Sequence, residues 1–93
     1  MKRSYPIEAG SVVRSRAGRD EGRYFLVLTV KNEFATVADG GLRGIERPKT
    51  KRLRHLFATG EIISDLRRRL EAGQPVENHE LRKWLSPYRQ KEA

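Results

Sequence analysis

Residues 10–28, GSVVRSRAGRDEGRYFLVL, decide the fold expected for this chain. Two apolar runs flank a charged segment that contains Gly18 and Gly22. Because glycine adopts the positive φ angles that tight connections need, this pattern predicts a strand, a short loop and a second strand. The two strands are predicted at residues 11–15 and 23–31.

The second of these strands is apolar on both of its alternating faces. Side chains alternate between the two faces of a strand, so a strand with two apolar faces belongs at the centre of a sheet. One face is predicted to carry Tyr24, Leu26, Leu28 and Val30, and the other Phe25, Val27 and Thr29.

The next segments continue the strand pattern. Residues 34–38 and 42–46 flank an Asp-Gly-Gly sequence and are predicted to form a hairpin, and residues 50–56 are a further strand candidate. Several short strands with turns at close intervals predict a mainly β fold, a small antiparallel barrel formed by residues 1–58.

The apolar period changes to that of a helix in the remaining residues, 59–93. A first helix is predicted from an N-cap at Thr59 to Gly73, and a second from Asn78 to Pro87. These two short helices are expected to pack on the barrel as a C-terminal extension. A partner-binding groove is the alternative role for the apolar stripe of the second helix, Leu81, Trp84 and Leu85.

The charge of the chain predicts a polyanionic partner. The 93 residues include 20 Lys and Arg, 12 Asp and Glu and no Cys, which gives a formal net charge of +8. The excess is concentrated in residues 41–56, which carry six basic side chains and one acidic one. A solvated surface strand is the alternative explanation of such a run.

The loop between the first two strands also carries positive charge. Arg16 and Arg19 are expected to project from its tip, where guanidinium groups can donate paired hydrogen bonds to phosphate oxygens. Alternatively, this is an ordinary hairpin loop in which Arg19, Asp20 and Glu21 pair with one another. The residues alone leave both interpretations open.

A family resemblance is carried by the same region. The spacing of Gly10, Val13, Gly18, Gly22 and Val27 resembles the KOW motif of several ribosomal proteins and transcription elongation factors. With AGRDEGRYFLVL and VADGGLRGIERPKTKRLRHL, the chain resembles a bacterial KOW-domain RNA-binding protein related to the archaeal and eukaryotic large-subunit ribosomal protein fourteen. The resemblance implies an SH3-like barrel that docks on structured RNA, with Gly18 and Gly22 in the KOW loop.

The expected partner is therefore RNA, and in particular ribosomal RNA of the large subunit, with ribosomal proteins as further partners. Charge alone selects the other candidate contacts. The full set of RNA-binding candidates is Arg16, Arg19, Arg43, Arg47, Lys49, Lys51, Arg52, Arg54 and His55. Candidates for base stacking are Tyr5, Tyr24, His55 and Tyr88.

These features predict a non-catalytic RNA-binding protein. The alternative is a transcription-coupled or protein-binding KOW module that contacts polymerase or another protein. An enzyme is not expected, because Asp20 and Glu21 lack a histidine or further acids at catalytic or metal-binding spacing, and no cofactor, metal or small-molecule substrate is predicted. The absence of an apolar run of about 20 residues, and of a signal-peptide core around Pro6 and Glu8, predicts a cytoplasmic protein with no membrane contact.

Overall fold

A computed structural model describes residues 5–89 of the chain. It is mainly a five-stranded antiparallel sheet followed by two helices, as the sequence predicts. The strands are β1 (Ser11–Ser15), β2 (Tyr24–Lys31), β3 (Phe34–Ala38), β4 (Lys49–Arg52) and β5 (Leu56–Ile62), and the helices are α1 (Ser64–Glu71) and α2 (Asn78–Arg89). Their order in the sheet is β4-β3-β2-β1-β5. Neither helix has the length and apolar character needed to span a bilayer.

The segment 42–46, predicted to be a strand, is part of a loop. The side chain of Asp39 closes this loop, because its Oδ1 accepts hydrogen bonds from the backbone N–H groups of Gly41 and Arg43, both at 2.9 Å. The backbone N–H of Asp39 in turn donates to the carbonyl of Arg43 at 2.8 Å. Because these hydrogen bonds hold residues 39–43 in a loop, residues 42–46 do not pair with β3. β4 pairs with β3 instead.

The predicted strand 50–56 is divided. β4 ends at Arg52, a 3-10 turn follows at Leu53–His55, and β5 begins at Leu56. β4 and β5 lie at opposite edges of the sheet although only this turn joins them. Five strands at about 4.8 Å spacing would separate the edges by more than four residues can span, so the sheet is strongly curved.

The prediction that a helix begins at Thr59 is wrong. β5 continues to Ile62 through pairing with β1, so the predicted domain boundary between residues 58 and 59 falls inside a strand. The Thr59 hydroxyl does not cap a helix but donates to the backbone carbonyl of Val12 in β1 at 2.9 Å. α1 begins at Ser64, where the chain leaves the sheet.

Two apolar clusters occupy the two faces of the sheet, which confirms that β2 is buried on both sides. The outer cluster joins the sheet to the helices through Val12, Leu26, Leu28, Ala38, Leu66, Leu81 and Leu85. The inner cluster fills the concave face with Val13, Phe25, Val27, Ala35, Val37 and Leu56. Lys51 Nζ of β4 donates to Ser15 Oγ of β1 at 3.1 Å although two strands separate β4 from β1, so curvature brings strands together that are distant in the sheet order.

A β-bulge near the end of β2 places the last side chains of this strand on different faces of the sheet from those predicted. The register shifts between Val27 and Thr29, so that Thr29 lies opposite Thr36 and Val30 lies opposite Ala35. Because Ala35 belongs to the inner cluster, Val30 lies on the inner face and not on the outer face as predicted.

The helices pack on the outer face of the sheet. Leu66 of α1 and Leu81 of α2 are fully buried, and Leu85 is 1% exposed. Trp84 is half-buried, with the guanidinium carbon of Arg69 at 5.9 Å from its ring. The two leucines of the predicted partner groove are therefore occupied by the protein's own core.

The ends of α2 differ from the prediction. Asn78 does not cap the helix; its Oδ1 accepts a hydrogen bond from the backbone N–H of Ile45 at 2.7 Å, which fastens the β3–β4 loop to α2. Glu80 caps the N-terminal end of α2 instead, because its carboxylate accepts a hydrogen bond from the backbone N–H of Glu77 at 3.1 Å. Pro87 lies in the last turn and does not stop the helix, since there it removes a single backbone hydrogen bond.

Replacement of Leu81 by Ala is expected to lower the free energy of unfolding by about 2–5 kcal/mol, because a fully buried leucine that joins α2 to the sheet leaves a cavity. Leu42→Ala is the matched control: this leucine is 73% exposed, and the change is expected to cost less than about 0.5 kcal/mol. Chemical denaturation of both variants measures the difference. Equal stabilities would mean that the helices are not part of the core.

Candidate nucleic-acid interface

Two loops lie at the same end of the sheet. Loop A, residues 16–23, joins β1 to β2, and loop B, residues 39–48, joins β3 to β4. Connections between alternate pairs of antiparallel strands fall at one end of a sheet. The loops also touch, since Arg23 Nη2 lies 3.4 Å from Asp39 Oδ2.

The 3-10 turn between β4 and β5 adjoins loop A. The backbone N–H of Arg16 donates to the carbonyl of His55 at 2.8 Å, which places Arg54 and His55 beside the start of loop A. We call loop A, loop B and this turn together the basic end.

The backbone of loop A directs its side chains in two directions. Gly18 and Gly22 both have positive φ, +77° and +90°, and the N–H of Gly22 bonds to the carbonyl of Ser15 at 2.9 Å. The single 3-10 turn between these glycines points Asp20 inward, where it is 7% exposed, and leaves Arg19 exposed. Glycine at both positions therefore permits a loop with a buried acid and an exposed base.

Asp20 is the centre of an ionic cluster. Its Oδ2 lies 2.7 Å from Lys49 Nζ and 3.7 Å from Lys51 Nζ, and Lys51 also donates to Ser15 Oγ at 3.1 Å. The hydrogen bond from Lys49 lowers the pKa of the Asp20 carboxyl; burial acts in the opposite sense, and the charges of both lysines and of Arg23 favour the ionised form. The carboxylate thus pairs with another strand, not with its loop neighbours.

The alternation of side chains between the two faces of β4 explains why the lysines of this strand point toward Asp20. Lys49 and Lys51 lie opposite Val37 and Ala35, which belong to the inner cluster, so both lysines point to the concave side. The side chain of Lys51 is only 9% exposed, whereas that of Lys49 is 32% exposed. The ammonium group of Lys51, a predicted RNA contact, is thus bound to Asp20 and Ser15 within the protein.

Arg52 directly precedes the 3-10 turn, on the side where the Leu53 N–H donates to the Glu33 carbonyl at 2.8 Å and not on the side that adjoins loop A. It points to the outer side of β4, directly opposite Phe34, at the end of the sheet where β2 turns into β3. Its guanidinium carbon lies 4.9 Å from the Phe34 ring centre, and Nη1 lies 3.6 Å from Glu33. The candidate cations of residues 49–54 therefore do not form one continuous surface.

Loop B carries Arg43 and Arg47. Arg47 is exposed, while Arg43 is half-buried, and its Nε is buried without a hydrogen-bond partner among the described residues. α2 contributes a further cation to this loop, because Arg82 Nη1 donates to the carbonyl of Gly40 at 2.5 Å. A Cβ at Gly40 would lie 2.3 Å from the Asn78 carbonyl, so the close approach of the loop to α2 requires glycine.

Four candidate arginines remain exposed without an ion pair to any residue between 5 and 89: Arg16, Arg19, Arg47 and Arg54. By contrast, all three arginines of α1 are paired. Arg67 binds Glu8 and Glu71, Arg68 binds Asp65, and Arg69 binds Asp65 and Glu80. The positive charge that is not neutralised within the described chain thus includes loop A and the adjoining turn.

Sequence reasoning missed Arg14 and Phe57, which lie directly opposite each other on β1 and β5. Arg14 is exposed, and Phe57 is 48% exposed. The guanidinium Nη2 of Arg14 lies 3.8 Å from the position that a Cβ on Gly22 would take, so Arg14 extends the basic end onto the outer face. The alternation of buried and exposed residues in SVVRS could have identified Arg14; the facing of Phe57 depends on pairing that no local pattern reveals.

The predicted stacking residues have different environments. Tyr24 and Tyr88 pack against each other with ring centres 5.0 Å apart, and His55 is half-buried at the basic end. Tyr5 is 43% exposed, but its ring lies over Gly60 of β5, away from the basic end.

No family model matches this chain, and no curated protein shows significant similarity to it.

Replacement of Asp20 by Asn tests the ionic cluster. The folded pKa of Asp20 is below its unfolded value of about 3.9, so its stabilisation is complete above that value and is lost as the pH falls through the folded pKa. We expect Asp20→Asn to lower the free energy of unfolding by about 1–3 kcal/mol at pH 7, and by progressively less below about pH 4.

The neighbouring acid provides the control for this measurement. Glu21 is exposed and forms no ion pair with residues 5–89, so Glu21→Gln removes the same charge with an expected effect below about 0.5 kcal/mol. Denaturation curves at several pH values compare the two variants. An Asp20→Asn protein as stable as Glu21→Gln at pH 7 would contradict the assigned role.

Proposed function

We propose that this protein is a non-catalytic RNA-binding domain that docks on structured RNA through the basic end. The observation that carries the proposal is the position of its unpaired charge: Arg16 and Arg19 in loop A, Arg47 in loop B and Arg54 in the adjoining turn are exposed. Guanidinium groups bind phosphate oxygens in a bidentate geometry, and phosphates dominate the affinity of RNA-binding surfaces. A rigid loop that presents several such groups suits a polyanionic backbone.

The contrast with α1 supports a localised site over a generally basic surface. The α1 arginines are compensated by acids, so their contribution to the field around the protein is small. The arginines of loop A instead stand beside an acid, Asp20, that is already bound to two lysines. Asp20 therefore neither neutralises Arg19 nor is free to act as a catalytic acid or metal ligand.

We further propose that the curved sheet is an SH3-like barrel and that loop A is its KOW loop. The strand order, the 3-10 turn between β4 and β5 and the positive φ of Gly18 and Gly22 support this assignment. Together with the KOW resemblance, they lead us to propose ribosomal RNA of the large subunit as the partner. The protein would bind this RNA in the cytoplasm, with ribosomal proteins as further partners. The protein-binding alternative has less support, since Leu81 and Leu85 are buried.

The triple variant Arg16→Gln, Arg19→Gln, Arg54→Gln tests this proposal. Each lost phosphate contact should reduce the slope of log affinity against log salt by about 0.7–0.9, so three should reduce it by about 2–3. Affinity for a fluorescent RNA stem-loop at low salt should fall by about tenfold or more. Fluorescence anisotropy across a salt series measures both quantities.

The control removes the same charge elsewhere. Lys31, Arg68 and Lys83 are exposed cations at the far end of β2, on α1 and on α2. Their combined replacement by Gln is expected to change the slope of log affinity against log salt by less than the value of about 0.7–0.9 that corresponds to one phosphate contact. If the two triple variants lost affinity equally, total charge and not the basic end would explain RNA binding.

A further inference from the structure

Phe57 and Arg14 form an exposed aromatic and cationic pair next to the basic end. We propose that this pair is a stacking site for an unpaired base of single-stranded RNA, with the Phe57 ring against the base and Arg14 on a neighbouring phosphate. This inference rests on the proposed function, and it names the class of RNA bound: a segment with exposed bases, such as a loop, bulge or free end.

The position of Phe57 has no packing explanation. Its neighbours Leu56 and Ala58 are 4% and 8% exposed, while Phe57 points to the outer side of the sheet. Phe57 belongs to neither apolar cluster and remains 48% exposed. A strand residue at this position would usually be polar, so an exposed ring here is available for contact with a ligand.

The cations around the ring define the ligand. Arg14 lies directly across from Phe57 on β1, and side chains at opposite positions of antiparallel strands are about 5 Å apart at Cβ. The 3-10 turn with Arg54 ends directly before β5, and Arg16 is tied to that turn through His55. A chain whose phosphates follow these arginines would bring a base within reach of Phe57.

The geometry favours single-stranded over double-stranded RNA. Bases in a duplex are stacked on each other and cannot place a face against a side chain, whereas unpaired bases stack on aromatic rings in sequence-tolerant binding. β5 is an edge strand, so within residues 5–89 only β1 pairs alongside Phe57. The ring is thus approachable by an extended chain.

The protein contains a matched control for this site. Phe34 is also exposed, by 40%, and also lies directly opposite an arginine, Arg52, on an edge strand. There, however, the guanidinium already lies 4.9 Å from the ring centre and close to Glu33. Phe34 lies beside the β2–β3 turn, on the side of the 3-10 turn away from loop A, and its ring already has a guanidinium partner, so we do not expect it to stack with RNA bound at the basic end.

The experiment compares Phe57→Ala with Phe34→Ala. Binding of each folded variant to a fluorescent single-stranded RNA and to a duplex of the same length is measured by anisotropy, with circular dichroism as the test of folding. We expect Phe57→Ala to weaken single-strand binding about fivefold to hundredfold and to leave duplex binding within about twofold. Phe57→Trp should keep single-strand affinity near that of the unaltered protein, and Phe34→Ala should bind like the unaltered protein.

The possible failures are distinguishable. Single-strand binding by Phe57→Ala equal to that of the unaltered protein would overturn the stacking site and leave the proposed function standing. Equal losses in Phe57→Ala and Phe34→Ala, or equal losses for single-strand and duplex RNA, would also overturn it. If the unaltered protein bound neither RNA, the proposed function and this inference would fall together.

Discussion

The buried carboxylate of Asp20 connects the parts of the molecule on which the candidate site depends. It joins loop A to the inward-facing lysines of β4 across the concave side of the sheet, and Lys51 continues the link to Ser15 at the end of β1. The ionic cluster therefore supports both the curvature of the sheet and the conformation of loop A. Because Asp20 binds lysines from another strand, its neighbours Arg16 and Arg19 remain uncompensated. The same interaction that stabilises the fold therefore leaves these two cations available for the RNA contacts that we propose.

Local patterns were sufficient to predict the centre of the sheet and insufficient at its margins. The paired apolar faces of β2 and the glycines of loop A are local signals, and they identified β1, β2 and the connection between them. The sequence predicts the start of a helix at the end of β5, because Ile62 and the following apolar residues fit both the helix and the strand period; pairing with β1 makes this segment a strand. Similarly, the sequence predicts a strand at residues 42–46, because no local pattern reveals the hydrogen bonds of the Asp39 side chain that close this segment into a loop.

The candidate site was predictable in its charge but not in its arrangement. The position of the excess basic residues can be read from the sequence. Side chains alternate along β4, however, so Lys51 points to the inner side and Arg52 to the outer side, and the two neighbours make different contacts. Arg14 and Phe57 are 43 residues apart and meet through the pairing of β1 with β5. The pair can be found only when the sheet order is known. It adds an aromatic ring, which we propose stacks on a base, to a surface that was inferred from charge alone.

The central claim is that the basic end holds RNA, with ribosomal RNA of the large subunit as the partner. Ultraviolet crosslinking in cells tests it most directly when the recovered RNA is sequenced and the crosslinked peptides are identified by mass spectrometry. We expect reads that converge on one or two structured regions of large-subunit ribosomal RNA, and nucleotide adducts on peptides from loop A and residues 53–57. RNA recovered only at background level, or adducts confined to α1 and α2, would contradict it.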